Sequence, residues 1–300
     1  MINTPFMMNE ELYEILKKSV DSTGLPVMNS TMFIQTTEKY GKEVFRRTLA
    51  DYITNEKPPF PLKQFSVDKV IREFHKLKSH EWTDWISKRD KEDVLEKYDD
   101  YKYSYSEYGL GVIDGPSTDR WNQGDNIWGV FGPIWRGINS EQELSPSTYM
   151  GAFRLGTYIA TQFKPTVAKT IYEMTDAKTV LDTSMGWGDR LTAFYASNAT
   201  HYIGCDPNPN TFARYKKMIE FYDKLTGGKK TTQIYNCGAE DLPWDEINNV
   251  DCAFTSPPYF STERYNEGGE KQELQSWFKF NEYEAWRDNF YLPVSQNSFD

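Results

Sequence analysis

Apolar residues recur at helical spacing through the first third of the chain. Over residues 9–20, Leu12, Ile15 and Leu16 share a face, Asn9 is placed to cap the start, and Gly24 and Pro26 end the run. A second helix is expected over 36–53. A third is expected over 66–78, where Val67, Val70, Ile71, Phe74 and Leu77 repeat behind Ser66 as cap. Residues 55–62 carry Pro58, Pro59 and Pro61 and read as an extended connector. Residues 82–98 are expected to be helical, with their charges on a solvated face. From Tyr98 to Asn139 the pattern dissolves into a Tyr-, Gly-, Asp- and Trp-rich tract that holds Trp121, Trp128 and Trp135 among Lys102, Arg120 and Arg136. Such rings can stack on bases or pin irregular chain to a core. Pro165 suits the first turn of a helix through Met174, with Val167, Ala168, Ile171 and Tyr172 facing inward.

A different rhythm begins at Thr179. Short apolar runs, 179–181, 201–205, 232–237 and 250–254, alternate with stretches of helical character at 191–196 and 211–225. Strands separated by helices predict a parallel sheet with right-handed crossovers. The expected fold is therefore α/β, a doubly wound, mostly parallel sheet, preceded by a mainly helical, aromatic-rich region. A boundary is expected near 145–150, giving residues 1–145 and 146–300. The last stretch, 282–299, reads as a further helix.

Composition narrows the class. The 20 Tyr, 18 Phe and 9 Trp favour a folded chain over a disordered one. Three cysteines, Cys205, Cys237 and Cys252, have no Cys-x-x-Cys spacing, and the three histidines are scattered. The expectation is no disulfide framework, no metal site and a reducing, cytoplasmic compartment. No apolar run is long enough for a membrane span, and no secretory signal is apparent. The net charge of −10 is spread over both halves, so no bulk basic bias points to nucleic acid. A local basic face remains compatible with that total.

The chemistry concentrates between Asp182 and Phe260. The first strand ends at Asp182 and runs into a turn with Gly186 and Gly188, where missing β-carbons let a ligand approach the backbone. The second strand ends at Asp206, the place where an acid grips a ribose diol in dinucleotide-binding sheets. The fourth strand runs into Ser256-Pro257-Pro258-Tyr259. Two prolines stiffen this corner and remove two donors. Ser256 and nearby carbonyls can then accept hydrogen bonds from an amino group, while Tyr259 and Phe260 stack on the ring that bears it. An exocyclic amine is a poor nucleophile because its lone pair is delocalised, and fixed acceptors on its N–H groups return density to nitrogen.

Four motifs carry a resemblance: Asp182-Thr-Ser-Met-Gly-Trp-Gly-Asp189, Asp206-Pro-Asn208, Gly238-Ala-Glu-Asp241 and Thr255-Ser-Pro-Pro-Tyr-Phe260. Over about 150–292 the chain resembles class I S-adenosylmethionine-dependent amino-methyltransferases that act on adenine N6 or cytosine N4 in DNA. The resemblance implies a Rossmann-like domain and S-adenosylmethionine as cofactor. It implies that Asp182, Gly186 and Gly188 surround the methionine part, that Asp206 holds the ribose, and that Glu240 or Asp241 meets the adenine. Phe163 and Pro165 are the candidates for the segment that touches the cofactor ahead of the first motif. DNA is the implied partner, and a base in a duplex must leave its stack to react. Related Pro-Pro-Tyr turns also serve protein glutamine-amide methylation, and a non-catalytic protein that kept the fold is a third reading. The family's target-recognition insertion has no counterpart between Asp182 and Tyr259, so recognition would fall to residues 1–145. Only 262–300 comes after the corner. The expectation is an incomplete sheet, from a truncated chain or a split enzyme whose sheet a second chain completes.

Overall fold

A computed structural model describes residues 9–61, 66–81, 83, 131–138, 143–154, 163–262, 264 and 271–299. The expected helix over 82–98 and most of the aromatic tract lie outside these residues. The chain divides into two compact units. The first draws on Met1–Lys63 and Ile113–Ala160, the second on Gln64–Val112 and Thr161–Asp300. The chain thus passes between units more than once, where a single boundary near 145–150 was expected.

In the first unit, helix Glu10–Lys18 is capped as its sequence requires, with Asn9 Oδ1 accepting from the Leu12 N–H at 2.9 Å. Leu12 and Leu16 are buried on its inner face. The helix expected over 36–53 is two helices, Ser30–Tyr40 and Lys42–Glu56. Gly41 separates them at φ +82°, a backbone state that would strain a side chain, so one helix ends and the next begins on the same residue. Phe131–Gly137, expected as loop, is helical, and Ile134 is fully buried. Together with helix Pro146–Arg154, these elements enclose Leu12, Phe33, Phe45, Leu49, Ile134, Tyr149 and Phe153 in one cluster. The Tyr149 hydroxyl keeps its polarity satisfied by donating to Pro26 O at 2.9 Å.

The second unit is the α/β part. Its strands are β1 (Thr179–Asp182), β2 (His201–Cys205), β3 (Thr231–Tyr235) and β4 (Cys252–Ala253), all parallel, in the order β3-β2-β1-β4. Helices Pro165–Met174, Asp189–Ala196 and Pro209–Thr226 lie within one residue or two of their expected bounds. The reason is legible in the chain: Pro165 opens one, and Pro209 and Gly227, the latter in the left-handed region, open and close another. Helix Val67–Ser79 also belongs here, capped by Ser66. Its Phe74 and Leu77 join Ala168, Tyr172, Val180, Phe194, Tyr202 and Tyr222 in the larger core.

Alternate residues of a strand face opposite sides of a sheet. Tyr202 accordingly belongs to that core, and Cys205 to a second cluster with Ala239, Leu242, Trp286, Phe290 and Val294. The last three come from one helical run: Tyr283–Trp286, a π-helical turn Arg287–Tyr291, and Leu292–Asn297. Pro293 explains the wide turn. It has no N–H to donate, and its ring crowds the carbonyl four residues back, so the spiral loosens ahead of it. The three cysteines are free thiols, with Cys205 and Cys252 buried. Among the described residues no helix is long and apolar enough to cross a membrane.

Candidate functional site

Because the sheet is all-parallel, the loops after its strands share one edge. Along it stand, in order, 236–241, 206–208, 183–188 and 255–259. With neighbouring strands spaced about 4.8 Å apart, the four strand ends make a row about 14 Å long. In an open parallel sheet this edge is where ligands bind.

The glycine turn is tied to the second strand end. Gly186, exposed and at φ +57°, donates its N–H to Asp206 Oδ2 at 3.2 Å. Asp206 Oδ1 accepts from the Asn208 N–H at 2.9 Å, and the Asn236 amide donates to Asp206 O at 2.9 Å. The Tyr215 hydroxyl donates to Gly186 O and lies beside the same carboxylate. Burial pushes the Asp206 carboxyl up to about 6, against the pull of the Asn208 N–H, Tyr215 and the Gly186 N–H. A carboxylate offers about four acceptor sites, so these backbone donors leave capacity for a diol. Gly188 has a different reason to be glycine. It sits at φ +84°, and a β-carbon there would stand 2.8 Å from Met218 Cε, so it serves the packing of the turn on helix 209–226.

Asp182 does not reach the open edge. It is fully buried, and its oxygens accept from Arg190 Nε at 2.9 Å, Tyr202 Oη at 2.6 Å and the Ser184 N–H at 3.2 Å. Arg190 also donates to Ser184 O, so ion pair and loop lock each other. Burial opposes the Arg190 charge, and Asp182 more than offsets it, holding the guanidinium above its ordinary pKa. Phe163 lies 5.2 Å from Arg190 Cζ by its ring centre and meets Phe254 edge-on at 5.8 Å. Its N–H bonds the Asp189 carboxyl, which burial pushes up to about 8 despite Arg190 and that bond. Asp182 and Phe163, both expected at the cofactor, brace the turn from within. The bracing roles of Asp189 and Arg190 escaped the sequence reading. Their signal was two charges opening a helix that otherwise reads Leu191, Ala193, Phe194, all buried.

Comparison with protein-family models, curated proteins and solved structures returned no match. The site therefore rests on its own geometry.

The corner after β4 sits next to the glycine turn, because β4 pairs with β1 and the Phe254 N–H extends that pairing to Leu181 O at 2.9 Å. Ser256, Pro257 and Pro258 are half-buried. Tyr259 is 55 % exposed, its ring free to meet a partner. Phe260 is not equivalent to it. At φ +48° it turns back into the second cluster, 5.7 Å from Tyr283 and 5.8 Å from Trp286 between ring centres. A bulky residue in the left-handed region is strained, and such strain gathers at functional corners. At the far end of the row, Glu240 and Asp241 are held by Lys279, which sequence reasoning also missed. No group of three or more acidic, His or Cys side chains able to hold a metal occurs among the described residues.

Proposed function

We propose that the second unit transfers a methyl group from S-adenosylmethionine to an exocyclic amino group of a nucleic-acid base, adenine or cytosine in DNA. The observation that carries this reading is one row on one sheet edge: a glycine turn bonded to a strand-end carboxylate, flanked by a serine-diproline-tyrosine corner. When bound, S-adenosylmethionine supplies an electrophilic methyl on a sulfonium centre. Gly186 leaves its backbone open to close approach, and Asp206 accepts from the ribose hydroxyls. The acceptor amine lies at the corner, where Ser256 Oγ and backbone carbonyls take its N–H bonds and localise its lone pair. Tyr259 stacks on the base and fixes the angle of attack. Pro257 and Pro258 hold these acceptors still, so that the gain is one of positioning. As the nitrogen–methyl bond forms, the methyl–sulfur bond would break and the thioether S-adenosylhomocysteine would be left; the methylated nitrogen, now acidic, would lose its proton to solvent water.

The test is transfer of labelled methyl groups onto DNA, RNA and protein pools, followed by nucleoside analysis. The expected product is N6-methyladenine or N4-methylcytosine in DNA. Label confined to protein glutamine, or no label anywhere, overturns the proposal. Ser256→Ala is expected to keep cofactor affinity and to lower turnover by about a hundredfold or more; turnover at the wild-type rate would remove Ser256 from this role.

A further inference from the structure

We propose that Cys205 and Cys237 form a peroxide-sensitive pair that closes into a disulfide, loosening the glycine turn 183–188 from the end of β2 and lowering the affinity of the site. The bond forms whatever that edge binds; only its effect on a cofactor rests on the reading above.

The topology brings together two thiols that no Cys-x-x-Cys spacing marks. β2 and β3 are parallel neighbours, and Cys205 at the end of β2 is paired with Tyr235 at the end of β3. The chain bends directly afterwards, at 236 and 237. Cys237 packs against the cluster that holds Cys205, and the two thiols are hydrogen-bonded. They differ in access. Cys205 is fully buried and Cys237 is half-buried, so an oxidant meets Cys237 first. Cys252 stands on β4 at the other end of the sheet and in the other core, and takes no part.

The chemistry uses this asymmetry, because the thiolate is the reactive form. The hydrogen bond from Cys205 holds the Cys237 thiol below its ordinary pKa, and Lys279 adds to that pull, against burial, Asp241 and Glu240. The same bond, with burial and the charges of Cys237, Asp182 and Asp206, pushes Cys205 up and keeps it protonated. The oxidant is hydrogen peroxide. The Cys237 sulfur attacks one of its oxygens: the sulfur–oxygen bond forms, the oxygen–oxygen bond breaks, and the departing hydroxide takes up a proton to become water. Cys205 then attacks the sulfenic sulfur. The sulfur–sulfur bond forms, the sulfur–oxygen bond breaks, and the oxygen leaves with the Cys205 proton as a second water. Two thiols have given two electrons and two hydrogens to one peroxide.

Closure reaches the turn because Cys205 also serves it. Its single S–H is shared between Cys237 and Thr183 O, the latter 3.3 Å away, and its carbonyl accepts from the Met185 N–H at 3.0 Å. A disulfide sulfur has no hydrogen to give, so Thr183 O loses that donor. The sulfurs must also approach to about 2.05 Å, which pulls on the bend whose Asn236 amide bonds Asp206 O.

The experiment compares the full chain before and after hydrogen peroxide. Non-reducing peptide mapping is expected to find Cys205 linked to Cys237 with Cys252 still a thiol, and dithiothreitol to reverse the link. Hydrogen exchange over 183–188 is expected to quicken about fivefold in the linked chain, as loss of one hydrogen bond would give, and to recover on reduction. Cys237→Ser should show neither change; if that variant fails to fold, reversal by dithiothreitol in wild type decides. No link, a link through Cys252, Cys237 carried to sulfinic acid beside an unreacted Cys205, or a linked chain with unaltered exchange overturns the proposal. S-adenosylmethionine affinity is expected to fall about tenfold with the link, and equal affinity in the linked chain overturns the proposal too. A reduced chain that binds no S-adenosylmethionine overturns the cofactor reading alone, since mapping and exchange need no ligand and still decide this one.

Discussion

Asp182 and Asp206 each end a strand, and the residues next in the chain decide their different fates. After Asp206 come Pro207 and Asn208, which supply one backbone donor and leave the carboxylate at the edge. After Asp182 comes Arg190, just past the glycines, and it draws the acid under the loop. The strand ends were legible in the sequence. The partner of Asp182 was not, because an ion pair across a turn leaves no periodic signal. Asp206→Ala is expected to abolish S-adenosylmethionine binding by calorimetry. On the proposed reading wild type binds through the ionised form, and affinity is expected to fall below pH 6 and approach about tenfold per pH unit. Asp189 makes the complementary prediction for stability. Its folded pKa of about 8 is raised above the ordinary 3.8, so its contribution is complete below pH 3.8 and lost as pH rises through 8. Asp189→Asn, which mimics the neutral acid, should flatten the decline of melting temperature between pH 5 and 8. An unchanged decline would place the titrating group elsewhere.

The elements were read well where a residue punctuates them and poorly where tertiary contact does. Pro165 and Ser66 fixed helix starts to within a residue. Gly41 was legible in principle, but a lone glycine inside a helical pattern is commonly tolerated, and only its positive φ shows the break. The helix at 131–137 has glycines and a proline within a short span, and burial of Ile134 overrides their poor propensity. β4 is two residues long and was expected as five, since an apolar run records burial and not pairing. Gly188→Ala tests how turn and helix fit. Backbone strain at φ +84° adds to the clash with the buried Met218, and the sum should cost about 2–4 kcal/mol in denaturant unfolding. A loss under about 1 kcal/mol would mean that Met218 yields freely.

Two units with separate cores make a prediction at the scale of the molecule. Leu49 is fully buried in the first unit's cluster, and every residue assigned to the cofactor lies in the second. Leu49→Ala should cost about 2–5 kcal/mol of stability, as is usual when a buried leucine leaves a cavity. It should leave the affinity for S-adenosylmethionine unchanged when both are measured on one sample. A parallel loss of affinity would show that the units do not act separately. The α/β character of the second unit was plain from alternating strands and helices. The division of the chain was not, because residues 67–79 join a core built from residues far along the chain, and no shift in composition marks that crossing.

The loosened turn at 287–291 has a consequence for the rhythm of the chain's last helix. Trp286, Phe290 and Val294 fall every fourth residue, a spacing that drifts steadily around a regular α-helix. A wider coil advances fewer degrees per residue and cancels the drift, so all three side chains meet one surface. Deleting the exposed Asn289 would restore ordinary winding upstream of Pro293 and leave Phe290 and Val294 three and seven residues after Trp286, about 300° and 700° around the axis and so still on one face. The wide turn thus takes up one extra residue, and its removal would leave Val294 anchored in that cluster.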